Sequence, residues 1–261
     1  MNELIQTVGA NQTAGFILVL ARISPLFVLA PIFSSRMIPA RARGVAAVAL
    51  TIGMVPVAMT GIERKVPTDA FAIAELAVKE MLIGLAFAFA VGVVFQAMSI
   101  AGSFLDTLVG FSFGSLVDPI TGTQSPVLSQ MYSLVGVMIF IAIGGDGWMI
   151  KGLAETYDLV PLLAFPSMGA LVGGANAAFT NIFVSALQIA APVLIAVTIT
   201  DAAFGIVSRV SPQMNVFAVG MPAKIIIALL ILGASLPFVA GYIDDALKSG
   251  ITDSLNSMKT R

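Results

Sequence analysis

Apolar, uncharged runs recur along this chain at the length a membrane-crossing helix needs, about 20 residues. Leu4–Ala21 and Ile23–Ser35 are separated only by Arg22. Gly44–Ile62 follows the basic cluster Arg36, Arg41 and Arg43, and Met81–Leu105 follows a helical face bearing Glu75, Lys79 and Glu80. Val127–Ile143, Thr180–Thr200 and Ile225–Ile243 complete the set. The pattern predicts an all-α protein with six hydrophobic segments, near 14–35, 44–61, 70–101, 126–144, 178–207 and 215–243. The apolar but Pro- and Gly-rich stretch 159–174 reads as a loop or re-entrant segment. The tail after Asp244, DDALKSGITDSLNSMKTR, is amphipathic and predicts a short helix at a membrane surface or on a partner. Pro25, Pro31, Pro56, Pro192, Pro222 and Pro237 lie in or beside apolar segments. Each removes a backbone donor and bends a helix, so the long helices are expected to be partly broken. The carbonyls so freed need protein or cavity water as partners.

Composition moves the reading from helical to membranous. Of 261 residues, 58% are hydrophobic and only 10% charged, against about 25% charged in a soluble domain; mean hydropathy is +1.01. Net charge is −1, so no basic field exists to hold nucleic acid. The absence of Cys and His removes disulfides, thiolate nucleophiles, the commonest metal ligands and every Ser–His dyad. No phosphate-cradling Gly-rich loop is present. An enzyme is not expected, nor a cofactor or metal. The N-terminus lacks a basic n-region, so the first apolar segment is expected to be retained. Lys and Arg do not settle topology. Arg36, Arg41, Arg43 and Arg209 fall after segments 1, 3 and 5, while Arg64, Lys65, Lys151, Lys248, Lys259 and Arg261 fall on the other side.

A few residues carry candidate chemistry. Arg22, Asp106 and Asp201 are candidate buried charges. A charge at bilayer depth costs roughly 3 kcal/mol or more and is normally paired or turned to water. Such charges suit an ion or substrate site in a small-solute transporter with discontinuous helices, with Arg22 and Asp201 as members; a structural salt bridge or an interfacial snorkel is the reading favoured here, since both residues lie near segment ends. GGDG, Gly144–Gly147, invites comparison with intramembrane aspartyl proteases. Their first motif glycine is replaced here by Ile143, and Tyr157-Asp158 follows instead of preceding, so GGDG reads as a tight turn leaving a span. RISP at Arg22–Pro25 and RVSP at Arg209–Pro212 echo each other over only four residues. In AGSFLDTLVGFSFGSLVDP, Ala101–Pro119, Gly110 and Gly114 flank Phe111 and Phe113. An apolar tip on glycine hinges suits a stopper in a narrow pore, because aromatic rings exclude water and ions. It also suits a loop anchored by two phenylalanines at an interface.

The stretch RVSPQMNVFAVGMPAK, Arg209–Lys224, is polar and helix-breaking between two apolar runs. It resembles the Arg-x-x-Pro-Gln signature of the FliR family of flagellar export proteins and their virulence type III counterparts. Arg209, Pro212, Gln213, Met214, Asn215, Phe217, Gly220, Pro222 and Lys224 all fall in place. APIFSSRMIPARAR, KEMLIGLAFAFAV and the Ala101–Pro119 region extend the resemblance along essentially the whole chain. It implies one copy of this chain among FliP-like and FliQ-like subunits, beside a FlhB-like subunit, in an export gate at the flagellar basal body of the bacterial inner membrane. About 1–170 would form a FliP-like part and about 171–261 a FliQ-like part. Gly110, Phe111, Phe113 and Gly114 would form a pore plug, and Arg209, Pro212, Gln213, Asn215, Gly220, Pro222 and Lys224 would serve subunit assembly. Exported flagellar proteins would pass through the gate.

Overall fold

The computed structural model describes residues 2–30, 33, 38–60, 67, 69–113 and 126–259, apart from the side chains of 2–10 and 113. Every regular element among them is helical: α1 (Asn2–Leu29), α2 (Ala40–Ala58), α3 (Ala70–Val109), a 3-10 turn (Phe111–Phe113), α4 (Val127–Ala142), α5 (Gly145–Leu159), α6 (Met168–Val210) and α7 (Val216–Met258). Side chains of the helix-starting type open three of them. Asp69 Oδ2 accepts the Ala72 N–H, Ser167 Oγ the Ala170 N–H, and Asn215 Oδ1 the Ala218 N–H, at 3.1, 3.2 and 3.1 Å. Five helices are long and apolar enough to cross a membrane, and α4 with α5 would pass as one broken span.

The chain divides into two units. Unit 1 gathers Met1–Val93, Gly144–Phe179 and Leu247–Arg261. Its core includes Leu18, Ile23, Leu26, Ile83, Phe87, Met149 and Leu153, and α1 packs on α2, which also meets α5. Close approach depends on glycine here. A Cβ at Gly84 of α3 would overlap the Arg22 carbonyl oxygen, and one at Gly152 would lie 2.7 Å from Ile251 and 3.0 Å from Phe87. Unit 2 gathers Val94–Ile143 and Thr180–Ala246, around Met98, Leu105, Leu128, Phe140, Ile189 and Val193.

Four sequence expectations change. The helices run on through Pro25, Pro56, Pro192, Pro222 and Pro237, because each proline deletes one hydrogen bond while the flanking turns persist. At Pro25 the deficit is met locally: the Ser24 hydroxyl donates to the Ala21 carbonyl, the acceptor four residues before the proline, at 3.1 Å. The break falls instead at Gly144, in the left-handed region at φ +67°. The stretch 145–159, unassigned from sequence, is helix α5, and the 159–174 segment gives way to helix at Met168. The tail is no separate helix. It continues α7, and its stripe Leu247, Ile251, Leu255 and Met258 is buried within unit 1.

Candidate functional site

The first charged cluster lies inside unit 1. Arg22 is fully buried, and its Nε donates to Glu80 Oε2 at 2.5 Å, Glu80 being 1% exposed. Arg22 Nη1 donates to the Val160 and Thr156 carbonyls at 2.9 and 3.2 Å. Those carbonyls close the C-terminus of α5, where a helix leaves acceptors free and favours a cation. The guanidinium also stacks 4.3 Å from the Tyr157 ring centroid. Glu80 in turn hydrogen-bonds the backbone of Leu163, whose φ of +75° is rare for a side-chain-bearing residue. One ion pair thus ties α1, α3, the end of α5 and the turn that follows. It is a neutralised structural node.

In unit 2, Asp106 is the second buried charge, 3% exposed. Its carboxylate accepts the Leu128 and Ser129 backbone N–H groups at 2.9 and 3.0 Å. Four residues on, Gly110 ends α3 with φ +104°, a conformation glycine adopts at no steric cost, and Phe111–Phe113 follow as the 3-10 turn. Gly114 and Asp118-Pro119 lie outside the described residues.

Asp201 does not join the buried charges. Its side chain is 52% exposed, held by Lys224 Nζ at 2.8 Å from Oδ1, while Lys224 is only 17% exposed. This pair crosses from α6 to α7 below the turn 211–215. At that turn Arg209, Pro212, Gln213 and Asn215 are exposed, as is Pro222 one turn on; Asn215 caps α7, and Gly220 is buried beneath the Phe204 ring. A cavity of about 390 Å³, lined by Val109, Gly110, Phe204, Phe217, Gly220 and Lys224 among others, lies beside the pair.

The chemical alternatives fare poorly against this geometry. Asp146 and Asp158 are both exposed on α5. They stand twelve residues apart, about 18 Å along the helix axis, so they cannot share a proton as a catalytic dyad must. Arg22 and Asp201 each already have a counter-charge, Glu80 and Lys224 respectively. Among the described residues no group of three or more carboxylates could hold a metal.

Residues 13–250, a stretch that takes in Arg22, Glu80, Asp106 and the Arg209–Lys224 turn, match the family described as bacterial export proteins, family 1. The chain belongs to the FliR family of bacterial export proteins. It is 31% identical over 239 residues to the flagellar biosynthetic protein FliR of Bacillus subtilis, which spans 89% of this chain and 88% of that protein. Against FliR of Escherichia coli K12 the identity is 28% over 223 residues, 85% and 84% of the two chains. The surface presentation of antigens protein SpaR of Salmonella typhimurium is 25% identical over 225 residues, 85% and 81% of the two.

In this FliR-family chain the sequence had pointed to Arg22 and Asp106 but not to their partners. Glu80 sat in plain view as one of three charges near the start of α3. Its signal was its place: Glu75 and Lys79 pair with each other on the exposed face at 2.6 Å, leaving Glu80 to turn inward. The partners of Asp106 are backbone groups, which carry no residue signature.

Proposed function

We propose that this chain is the FliR-like subunit of a type III protein-export gate, set in the bacterial cytoplasmic membrane at the flagellar basal body. It passes unfolded flagellar proteins together with FliP-like and FliQ-like subunits and a FlhB-like neighbour. Its work is passage, and energy comes from elsewhere in the machine. The observation that carries this reading is the family match over residues 13–250. Helix length supports it. The 40 residues of α3 and the 43 each of α6 and α7 extend about 60–65 Å, twice the roughly 30 Å hydrocarbon core of a bilayer. Yet α6 carries exposed apolar side chains from Met168 and Val172 through Phe183 and Ile195 to Val210, about 63 Å of helix and more apolar length than lipid alone covers. Unlike subunits would cover the remainder, along a FliP-like part near 1–170 and a FliQ-like part near 171–261. The flagellar form is favoured by the long match to FliR of Bacillus subtilis, 31% identical over 89% of this chain, against 25–28% over 59–85% for the virulence relatives.

Co-expression with the FliP- and FliQ-like proteins of the same genome, followed by mild extraction and native mass spectrometry, is expected to yield a hetero-oligomer with one copy of this chain. A stable monomer or homo-oligomer that ignores both would overturn the reading. Arg209, Gln213 and Lys224 are then contact residues of that assembly, with Pro212 and Asn215 shaping the turn and Gly220 and Pro222 lying in the first turns of α7 that follow it. The segment from Gly110 and Phe111 through Phe113 and Gly114 acts as the pore plug. Deleting Gly110–Leu116 is expected to make the assembled gate leak small ions. Unchanged permeability with assembly intact would remove the plug.

A further inference from the structure

We infer that one narrow face of α3, carrying Gln96, Ser103 and Thr107, is a wetted surface along which the exported polypeptide passes this subunit. The inference rests on the export-gate reading above, and it assigns the residues that meet the chain in transit.

Residues 94–109 are the part of α3 that belongs to unit 2. The exposed residues among them are Gln96, Ser103, Thr107 and Leu108. Ser103 and Thr107 follow Gln96 by seven and eleven positions, so all three lie within about 20° of Gln96 around the helix, in a strip about 16 Å long. The strip is polar without being charged. The single charge of the segment, Asp106, is 3% exposed and committed to the N–H groups that open α4. Over an equal length of α7, residues 225–240, every exposed residue is Ile, Leu, Phe, Pro, Ala or Gly. That face suits lipid or an apolar neighbour, whereas an amide and two hydroxyls on a membrane-grade helix call for water or a polar partner.

The direction of the hydrogen bonds favours the first. The Ser103 hydroxyl donates to the Ser99 carbonyl at 3.0 Å or to Ser129 Oγ at 3.2 Å, and the Thr107 hydroxyl donates to the Ser103 carbonyl at 3.1 Å. With their protons engaged on the scaffold, both oxygens turn lone pairs outward. A packed helix keeps its backbone N–H groups in its own ladder and matches an acceptor strip poorly. Water and an extended polypeptide both bring free donors. At about 3.3 Å per residue, about five residues of extended chain cover the strip. A segment of arbitrary sequence finds there neither a charge to pair with nor a large apolar patch to bind. The support is rigid: a Cβ at Gly102 would overlap the Ser129 backbone, and Ser129 Oγ donates to the Ser99 carbonyl at 2.9 Å, so α3 and α4 touch backbone to backbone beside the strip.

The test uses the membrane-embedded gate assembled with cysteine-free partner subunits. The chain itself has no cysteine, so Gln96→Cys and Thr107→Cys each report on one position. Thr107 bonds within its own helix, so its replacement leaves the contact with α4 in place, and Gln96→Cys is an independent second site. Both thiols are expected to react with a charged, membrane-impermeant methanethiosulfonate added from either side. Leu230→Cys on the apolar face of α7, 67% exposed in the isolated chain, is expected to stay unlabelled. Unreactive thiols at both strip positions in a gate that exports would overturn the inference, as would labelling of Leu230→Cys at the same rate. A benzophenone carried on either strip thiol is expected to capture a polypeptide stalled in transit. Capture of a neighbouring subunit alone would give the face to subunit packing and overturn the inference. Failure to form any hetero-oligomer defeats the export-gate reading itself, whereas a working gate with silent thiols defeats this assignment alone.

Discussion

Glu80→Ala is expected to destabilise unit 1 by about 3–5 kcal/mol, the usual consequence of stripping one partner from a buried ion pair. Arg22 would stay fully buried with its charge uncompensated. Its hydrogen bonds to the Thr156 and Val160 carbonyls cannot offset that, because those acceptors carry only partial charge. The Leu163 backbone, held in a left-handed conformation, would also lose its carboxylate partner. The thermal midpoint of the detergent-extracted chain reads the effect directly. The companion variant, Arg22→Met with Glu80→Leu, is expected to recover most of the loss, since apolar replacement of a whole buried pair is often neutral or better. A double-mutant cycle isolates the pair energy. A Glu80→Ala protein as stable as its parent would show that the node does not hold α1, α3 and α5 together.

The second large effect is expected at Gly84. An added methyl there would overlap the Arg22 carbonyl oxygen and lie 2.8 Å from its carbon, and backbone cannot yield as a side-chain tip can. Gly84→Ala must therefore move α1 away from α3, at a cost of about 1–3 kcal/mol or more, and the movement pulls Arg22 from Glu80. Gly53 in α2 is the control, because a Cβ there meets nothing within 4 Å. Gly53→Ala is expected to be neutral or to stabilise, by up to about 1 kcal/mol of helix propensity. Equal melting of the two variants would mean that the α1–α3 contact is looser than the geometry shows.

Legibility from sequence varied with the kind of interaction. Apolar runs identified the helical segments because hydrophobic length is a local property. The turn at Arg209–Lys224 was legible too, since Pro212 and Asn215 punctuate the chain locally, and the structure adds that Asn215 caps α7. The prolines misled. A helix survives a missing donor when the next turns hold, and the Ser24 hydroxyl beside Pro25 shows how the freed carbonyl is met. Asp201 misled for another reason. Its apolar flanks suggested burial, but which side of a helix faces inward depends on neighbours distant in sequence.

By itself, then, the sequence determined that the chain is all-helical and membrane-like, that it lacks histidine and cysteine, and that it carries the export-family signature at Arg209–Lys224. Each of these follows from residue type, run length or local spacing. Only the tertiary structure decided that Arg22 answers Glu80, that Asp106 caps a helix 22 residues away, and that Gly84 and Gly102 are points where backbones touch. A buried charge announces its cost in sequence, but its partner is chosen by how the helices pack. When that partner is a backbone N–H or carbonyl, as for Asp106 and in part for Arg22, no residue letter encodes it.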